Sequence, residues 1–283
     1  MDIYAIGEEE FSKVRPGMTF LIFDDLEAQD RHFARTLVDR IKADGAVGRP
    51  TRIILPTGPL HYEYFVRLVN AERVSLEGLR VVMMDEFCDE DGGAIGEDHP
   101  LSFRRFVREI LLDGVGKPLR MGEGQLHFPD PRAPEATSRL IDQIGGIDVT
   151  YAGIGIDGHL AFNEPPRTEA EATEQNVRHS RTRVIDVAAQ TVAQYGMAGT
   201  DGNIDVIPRR AVTVGLEEML AAREIHMYFL RNWHSGIMRR ALFGPVTPWF
   251  PASYVQGHPN VTVHMPKYVA AVPKVNVILN VTT

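Results

Sequence analysis

Short apolar runs that end in glycine or acidic turns alternate with stretches of helical periodicity along most of this chain. Residues 18–23, 51–55, 79–84 and 147–152 read as strands. Residues 26–43 read as a helix, with Phe33, Leu37, Val38 and Ile41 at helical spacing. Residues 60–70 and 102–112 read as two more, the second opened by a serine cap at Ser102. Later strands are expected at 211–214, 225–230, 261–265 and 275–279, with helical stretches at 216–222 and 235–242. Strands joined through helices run in one direction and bury both faces. The expected class is therefore α/β: a mostly parallel sheet with helices on both faces. At 283 residues, 1–283 is expected to form one large domain.

Open α/β sheets bind ligands at the carboxyl edge of their strands. Three stretches fall just past such ends: Thr57-Gly58, Asp85-Glu86 and residues 153–164. The last carries Asp157, His159 and Glu164 behind Gly153, Gly155 and Gly158. Glycines there let the backbone turn sharply and approach a ligand closely, which makes Gly155 and Gly158 candidate binding positions. A histidine between two carboxylates can be held in one tautomer and exchange protons near neutral pH. Asp85 suits a proton shuttle, because partial burial and negative neighbours raise a carboxylate's basicity. By residue type alone, Asp85-Glu86 fits equally an acidic pair at a helix N-terminus. Asn163 reads as a turn residue. Residues 165–180, rich in Glu, Thr, Arg and Pro, read as a flap over the site.

Bulk properties narrow the partners. A net charge of -8 argues against nucleic acid. Nothing approaches an apolar run of membrane-spanning length, and the acidic N-terminus lacks the regions of a signal peptide. Cys88 is the one cysteine, so no internal disulfide forms and a cytoplasmic location is expected. No histidine pair has helical metal-ligand spacing, so no metal is expected.

The string from Gly153 to Pro165 resembles the signature of the glucosamine-6-phosphate deaminase (isomerase) family, within the 6-phosphogluconolactonase-like superfamily. Leu55-Pro56-Thr57-Gly58 is similar to the start of that family's phosphate loop, and Met83-Met84-Asp85-Glu86-Phe87 to its catalytic motif. His99-Pro100 with Ser102, and the segments at 180–183 and 208–215, continue the resemblance over roughly residues 20 to 270. The resemblance implies an aldose–ketose isomerase that opens a 2-amino sugar phosphate ring, moves a proton between carbons 1 and 2, and releases ammonia without a cofactor. It implies His159 as the ring-opening acid/base, Asp157 and Glu164 as its flanking carboxylates, and Asp85 as the base at carbon. Thr57, Gly58, Pro59, Leu60, Glu86, Gly155 and Gly158 would line the substrate, a small sugar or sugar phosphate, in a homo-oligomer.

The departures gather where the resemblance implies phosphate. Pro59 has no N–H and Leu60 no hydroxyl, so two donors of the loop are gone. Ungapped counting places Met197 at an arginine of the family and His234 at a lysine. With the proton-transfer set intact and the anion clamp altered, the expectation is that glucosamine 6-phosphate is a poor substrate and that the preferred one differs at the sugar's far end. Arg231, His234, Arg209 or Arg210 could instead rebuild a phosphate site. Two alternatives stand beside the isomerase: a sugar lactone hydrolase of the same fold, and a non-catalytic sugar sensor. The Phe162-Asn163-Glu164-Pro165 continuation favours the deaminase over the lactonase, and a sensor has no need for Asp85, Asp157, His159 and Glu164 together.

Overall fold

The computed structural model describes residues 2–58, 60–122 and 124–275. In chain order its strands are β1 (Met18–Phe23), β2 (Thr51–Leu55), β3 (Leu79–Met83), β4 (Asp85–Phe87), β5 (Leu126–His127), β6 (Val149–Ala152), β7 (Arg183–Asp186), β8 (Arg210–Thr213), β9 (Glu224–Tyr228) and β10 (Val261–Pro266). The α-helices are α1 (Phe11–Val14), α2 (Leu26–Ala46), α3 (Tyr62–Glu72), α4 (Phe103–Val107), α5 (Pro134–Gln143), α6 (Ala189–Gly199), α7 (Leu216–Leu220), α8 (His234–Phe243) and α9 (Lys267–Ala270). The main sheet has seven strands in the order β1-β10-β9-β6-β2-β3-β5. All its pairings are parallel, as the alternation of strands and helices requires.

Both faces are covered, and the pleat shows how. Neighbours in a strand point to opposite sides. Ile53 and Leu55 belong to one buried cluster with Phe33 and Leu37 of α2 and Phe65 of α3, whereas Ile54 belongs to another with Ile141 of α5, Met219 of α7 and Met238 of α8. Each such buried side chain contributes ~1.5–3 kcal/mol relative to exposure. The apolar stripe at Phe33, Leu37, Val38 and Ile41 lies against the sheet as its spacing predicts. Ser102 caps α4, its hydroxyl accepting from the Arg105 amide at 3.2 Å, but the α-helix is short and continues as a π-helical turn over Arg108–Asp113. The strand expected at 275–279 falls outside the described residues but for Val275, which is not in a strand.

A second sheet departs from the expected plan. Strands β4, β8 and β7 form a three-stranded antiparallel sheet in that order. The run expected as a strand at 211–214 belongs to it, and Asp85-Glu86 are strand residues rather than the start of a helix. This sheet is attached at the carboxyl ends of β2 and β3: Met84 N donates to Leu55 O (2.9 Å) and Val214 N to Met84 O (2.7 Å). Among the described residues no helix is long and apolar enough to cross a membrane.

Candidate active site

The loop after β6 is a compact turn built around one imidazole. Gly155 N donates to His159 O (3.0 Å), Gly158 N to Gly155 O (3.0 Å), and His159 N to Asp157 Oδ1 (3.2 Å). A Cβ on Gly155 would sit 2.0 Å from His159 Cε1, so only glycine leaves room for the ring. Gly158 is at φ +91°, and a Cβ there would meet the Phe250 ring at 2.5 Å. Glycine at both positions is therefore required by the close packing and the left-handed backbone. Ala161 is a non-glycine residue at φ +53°, a conformation that costs on the order of 1 kcal/mol or more. Asn163 holds it: its Nδ2 donates to Leu160 O (2.9 Å) and Val214 O (2.8 Å), and its Oδ1 accepts from Arg183 Nη1 (2.8 Å).

One threonine ties this loop to Asp85. Thr213 is the cross-strand partner of Asp85 in β4 and of Arg183 in β7. Its Oγ1 also accepts from Phe162 N at 3.0 Å. The small sheet thereby fixes Asp85 and the 153–164 loop in one frame at the carboxyl edge of the main sheet.

The electrostatics show that these groups feel one another. Asp85 is 8 % exposed, and burial first, then the charge of Glu86, pushes its carboxyl up to about 7, with His159 opposing. His159 is 7 % exposed; burial alone would lower its pKa. The hydrogen bond and charge of Asp157, joined by the charges of Glu164 and Asp85, raise it instead. His159 Nδ1 lies 2.8 Å from Asp157 Oδ1 and 3.3 Å from Thr191 Oγ1. Asp157 is held below the usual carboxylate range, because His159 outweighs burial. Glu164 is raised by burial against the pull of Thr191, His159 and Ala188. Its Oε2 accepts from Ala188 N (2.7 Å), and its Oε1 is buried with no hydrogen-bond partner. With Asp157 on Nδ1, Nε2 is the nitrogen left to serve a substrate oxygen. A cavity of about 340 Å³ opens beside Glu164, walled by Phe162, Arg167, Asn176, Arg183 and Ile185.

The remaining expected site residues divide. Thr57 Oγ1 is buried without a partner and Gly58 is exposed at the end of β2; Pro59 lies outside the described residues. Leu60 is 2 % exposed and packs in the core under α3. Glu86 is fully buried and caps α4, accepting from Phe103 N (3.2 Å), Arg104 N (2.7 Å) and its neighbour Phe87 N (2.9 Å). Met197 stands near the end of α6, 80 % exposed, roughly 9 Å along the helix from Thr191. His234 is buried, its Nδ1 accepting from Leu230 N (2.9 Å) and Arg231 N (3.1 Å). Burial, then Arg231, lowers its pKa to about 3, so the ring is neutral and offers no positive charge. Leu60, Glu86, Met197 and His234 are thus taken up by core packing, a helix cap, the exposed end of α6 and a loop pin, respectively. Thr191 and Thr213 had no motif to mark them, since each is placed by the fold. Among the described residues no group of three or more His, Cys, Asp or Glu side chains is arranged to hold a metal ion.

Glu86 gives a first prediction. Glu86→Gln removes a charge that raises Asp85, so the acidic limb of the pH–rate profile moves to lower pH, by roughly one unit or less. It also loses part of the α4 cap, so the protein melts earlier. Profiles recorded well below the melting temperature check this, and an unmoved limb would show that Glu86 does not act on Asp85.

The parallel α/β fold is shared with proteins of known structure. The fold resembles that of a monomeric glucosamine-6-phosphate deaminase (TM-score 0.75, 24 % identity, covering 89 % of this chain and 99 % of that one). It also resembles a 6-phosphogluconolactonase from Trypanosoma brucei (TM-score 0.63, 18 % identity, covering 89 % and 97 %). Sequence similarity is more specific. A glucosamine-6-phosphate deaminase from Rhodopirellula baltica is 31 % identical over 251 residues, 85 % of this chain and 90 % of that protein. Glucosamine-6-phosphate deaminase 1 of Bacillus subtilis is 27 % identical over 250 residues, 84 % and 94 %. No family model matches the chain. The chain belongs to the glucosamine-6-phosphate deaminase family.

Proposed function

We propose that this protein is an aldose–ketose isomerase that deaminates a 2-amino sugar, with His159 and Asp85 moving the protons. The observation that carries the reading is the Asp85 carboxyl, pushed to about 7 inside a frame it shares with His159. A group with that pKa can take a proton from carbon 2 and return it at carbon 1 near neutral pH. His159, held by Asp157 and carrying a raised pKa, protonates the ring oxygen through Nε2 as the ring opens. Glu164 strengthens the positive ring and holds the loop to Ala188 at the start of α6. Residues 165–180 contribute Pro165, Arg167, Glu171, Asn176 and Val177 to the wall of the cavity beside Glu164, which supports their reading as a cover over the site.

The test is a panel of 2-amino sugars, with and without phosphate, read by ammonia release and ketose formation. A sugar lactone hydrolase would instead release acid from a lactone and leave the amino sugars untouched. No step calls on a metal, so EDTA is expected to leave turnover unchanged; loss of activity restored by a divalent cation would break this account.

A further inference from the structure

Around Thr57 and His61, several elements meet and leave buried polar atoms without partners among the described residues. Gln29 and Asp30, in the first turns of α2, are 0 % and 2 % exposed. Gln29 Nε2 donates to Phe229 O at 3.2 Å, which leaves Oε1 unpaired. Asp30 Oδ2 takes His61 Nδ1 at 2.5 Å, which leaves Oδ1 unpaired. The Tyr228 hydroxyl at the end of β9 and Thr57 Oγ1 past the end of β2 are unpaired too. Asp30 lies close enough to Tyr228 and Tyr268 to raise both phenols, after burial. Unsatisfied buried polar groups are rare in folded proteins. Four on converging elements at the carboxyl edge of a sheet are the mark of groups kept for a ligand.

The place fits the far end of a substrate. Tyr62, next to His61, is near enough to Asp85 for that carboxyl to raise its phenol, after burial, and its hydroxyl donates to Pro56 O. His61 and Tyr62, adjacent in the chain, thus bring Asp30 and the Asp85 carboxyl to neighbouring positions of one segment. The charged groups acting on His61 at this place are Asp30, which raises its pKa, Glu63, which adds to that rise, and the exposed Arg231, which opposes it. His234 is neutral and already engaged.

We infer that Asp30, Gln29, Tyr228 and Thr57 form the subsite for the end of the sugar remote from the reacting carbons, and that they select an uncharged, hydroxyl-bearing end over a phosphate ester. The inference rests on the proposed reaction for which end of the sugar is which. Asp30 Oδ1 and Gln29 Oε1 are acceptors and need donors. A hydroxyl supplies one, whereas a phosphate dianion brings only acceptors and two charges against a buried carboxylate.

Binding of two unreactive open-chain probes, 2-amino-2-deoxyglucitol and its 6-phosphate, tests this by calorimetry without depending on turnover. The wild-type protein is expected to bind the unphosphorylated probe at least tenfold more tightly. Asp30→Asn removes the charge and one acceptor, and is expected to shrink that preference at least tenfold. Tyr228→Phe is expected to weaken the unphosphorylated probe several-fold while the Tm stays level or rises, because the lost hydroxyl has no partner in the protein. Tighter binding of the phosphate ester by the wild type would overturn the inference and assign Thr57, His61 and Arg231 to a rebuilt anion site. Binding of neither probe, or a preference that Asp30→Asn leaves alone, would overturn it as well. A lowered Tm with unchanged affinity in Tyr228→Phe would make that hydroxyl structural and remove it from the subsite. The expected binding pattern without ammonia or ketose from any amino sugar would support the subsite and sink the proposed reaction.

Discussion

Asp85→Asn is expected to lower turnover by ~10²–10⁴ while leaving the fold intact. An amide has the shape of the carboxyl but cannot accept a proton from carbon, so the proposed transfer of hydrogen between carbons 1 and 2 loses its base. The stability of this variant separates a catalytic role from a structural one. Asp85 is raised from 3.8 to about 7 by burial, with Glu86 adding to it. A group raised in the folded state favours folding below its unfolded value and loses that contribution as pH rises through the folded one. Wild type is therefore penalised progressively between about 3.8 and 7, by on the order of a few kcal/mol once Asp85 is ionised. Asn carries no such penalty. The melting temperature of Asp85→Asn should equal or exceed that of wild type, with the gap widening from pH 4 to pH 8. Loss of turnover with a level or raised Tm assigns Asp85 to the chemistry. Near-normal release of ammonia by the variant, on whichever amino sugar the wild type prefers, would remove it from the mechanism. Exchange of the carbon-2 proton with deuterated solvent gives an independent reading, since it should vanish with the base.

The carboxylate–imidazole cluster was legible because its members sit where strand patterns end. Short β-branched runs fix the strands, their common direction fixes one ligand-binding edge, and Asp85, Asp157, His159 and Glu164 follow such runs directly. The surroundings of the expected binding residues were not legible in the same way. Leu60 was read as a replaced position of the loop after Thr57-Gly58 and His234 was placed by counting along a resemblance, and neither takes account of what the side chain packs against. Leu60 is drawn into the core by its apolar side chain. His234 is drawn under a loop, where its Nδ1 serves two backbone amides that would otherwise go unpaired. The second sheet was hidden because β4 is three residues long and pairs with β8 across more than a hundred intervening residues, a contact that no local pattern encodes. Its consequence is large, since Thr213 joins Asp85 to the histidine loop only through that pairing. Gln29 and Asp30 did carry a signal. They precede Phe33 by four and three positions, so they fall on the apolar face of α2, where a polar pair calls for an explanation.

His159→Gln should also cost at least ~10² in turnover, for a different reason and with a different pH signature. Glutamine fills much of the space beside Gly155 and can still donate a hydrogen bond, but it cannot give up a proton to the ring oxygen. In the proposed mechanism the wild-type rate needs His159 protonated and Asp85 ionised, which describes a bell. The acidic limb lies near the Asp85 value of about 7, and the alkaline limb lies above 6.5, where His159 is raised by Asp157. The residual rate of His159→Gln should keep the acidic limb and lose the alkaline one. Stability follows from the same pair. The His159 contribution is fully present below 6.5 and is lost as pH rises through its raised value, whereas that of Asp157 is present above 3.8 and is lost as pH falls through its lowered value. Between those limits the variant leaves Asp157 and Glu164 without their cation, so it should melt below wild type there and approach it at alkaline pH. Assays run well below both melting temperatures keep the two effects apart. An alkaline limb that survives in His159→Gln would mean that some other group supplies the proton, and the ring-opening role would pass to it.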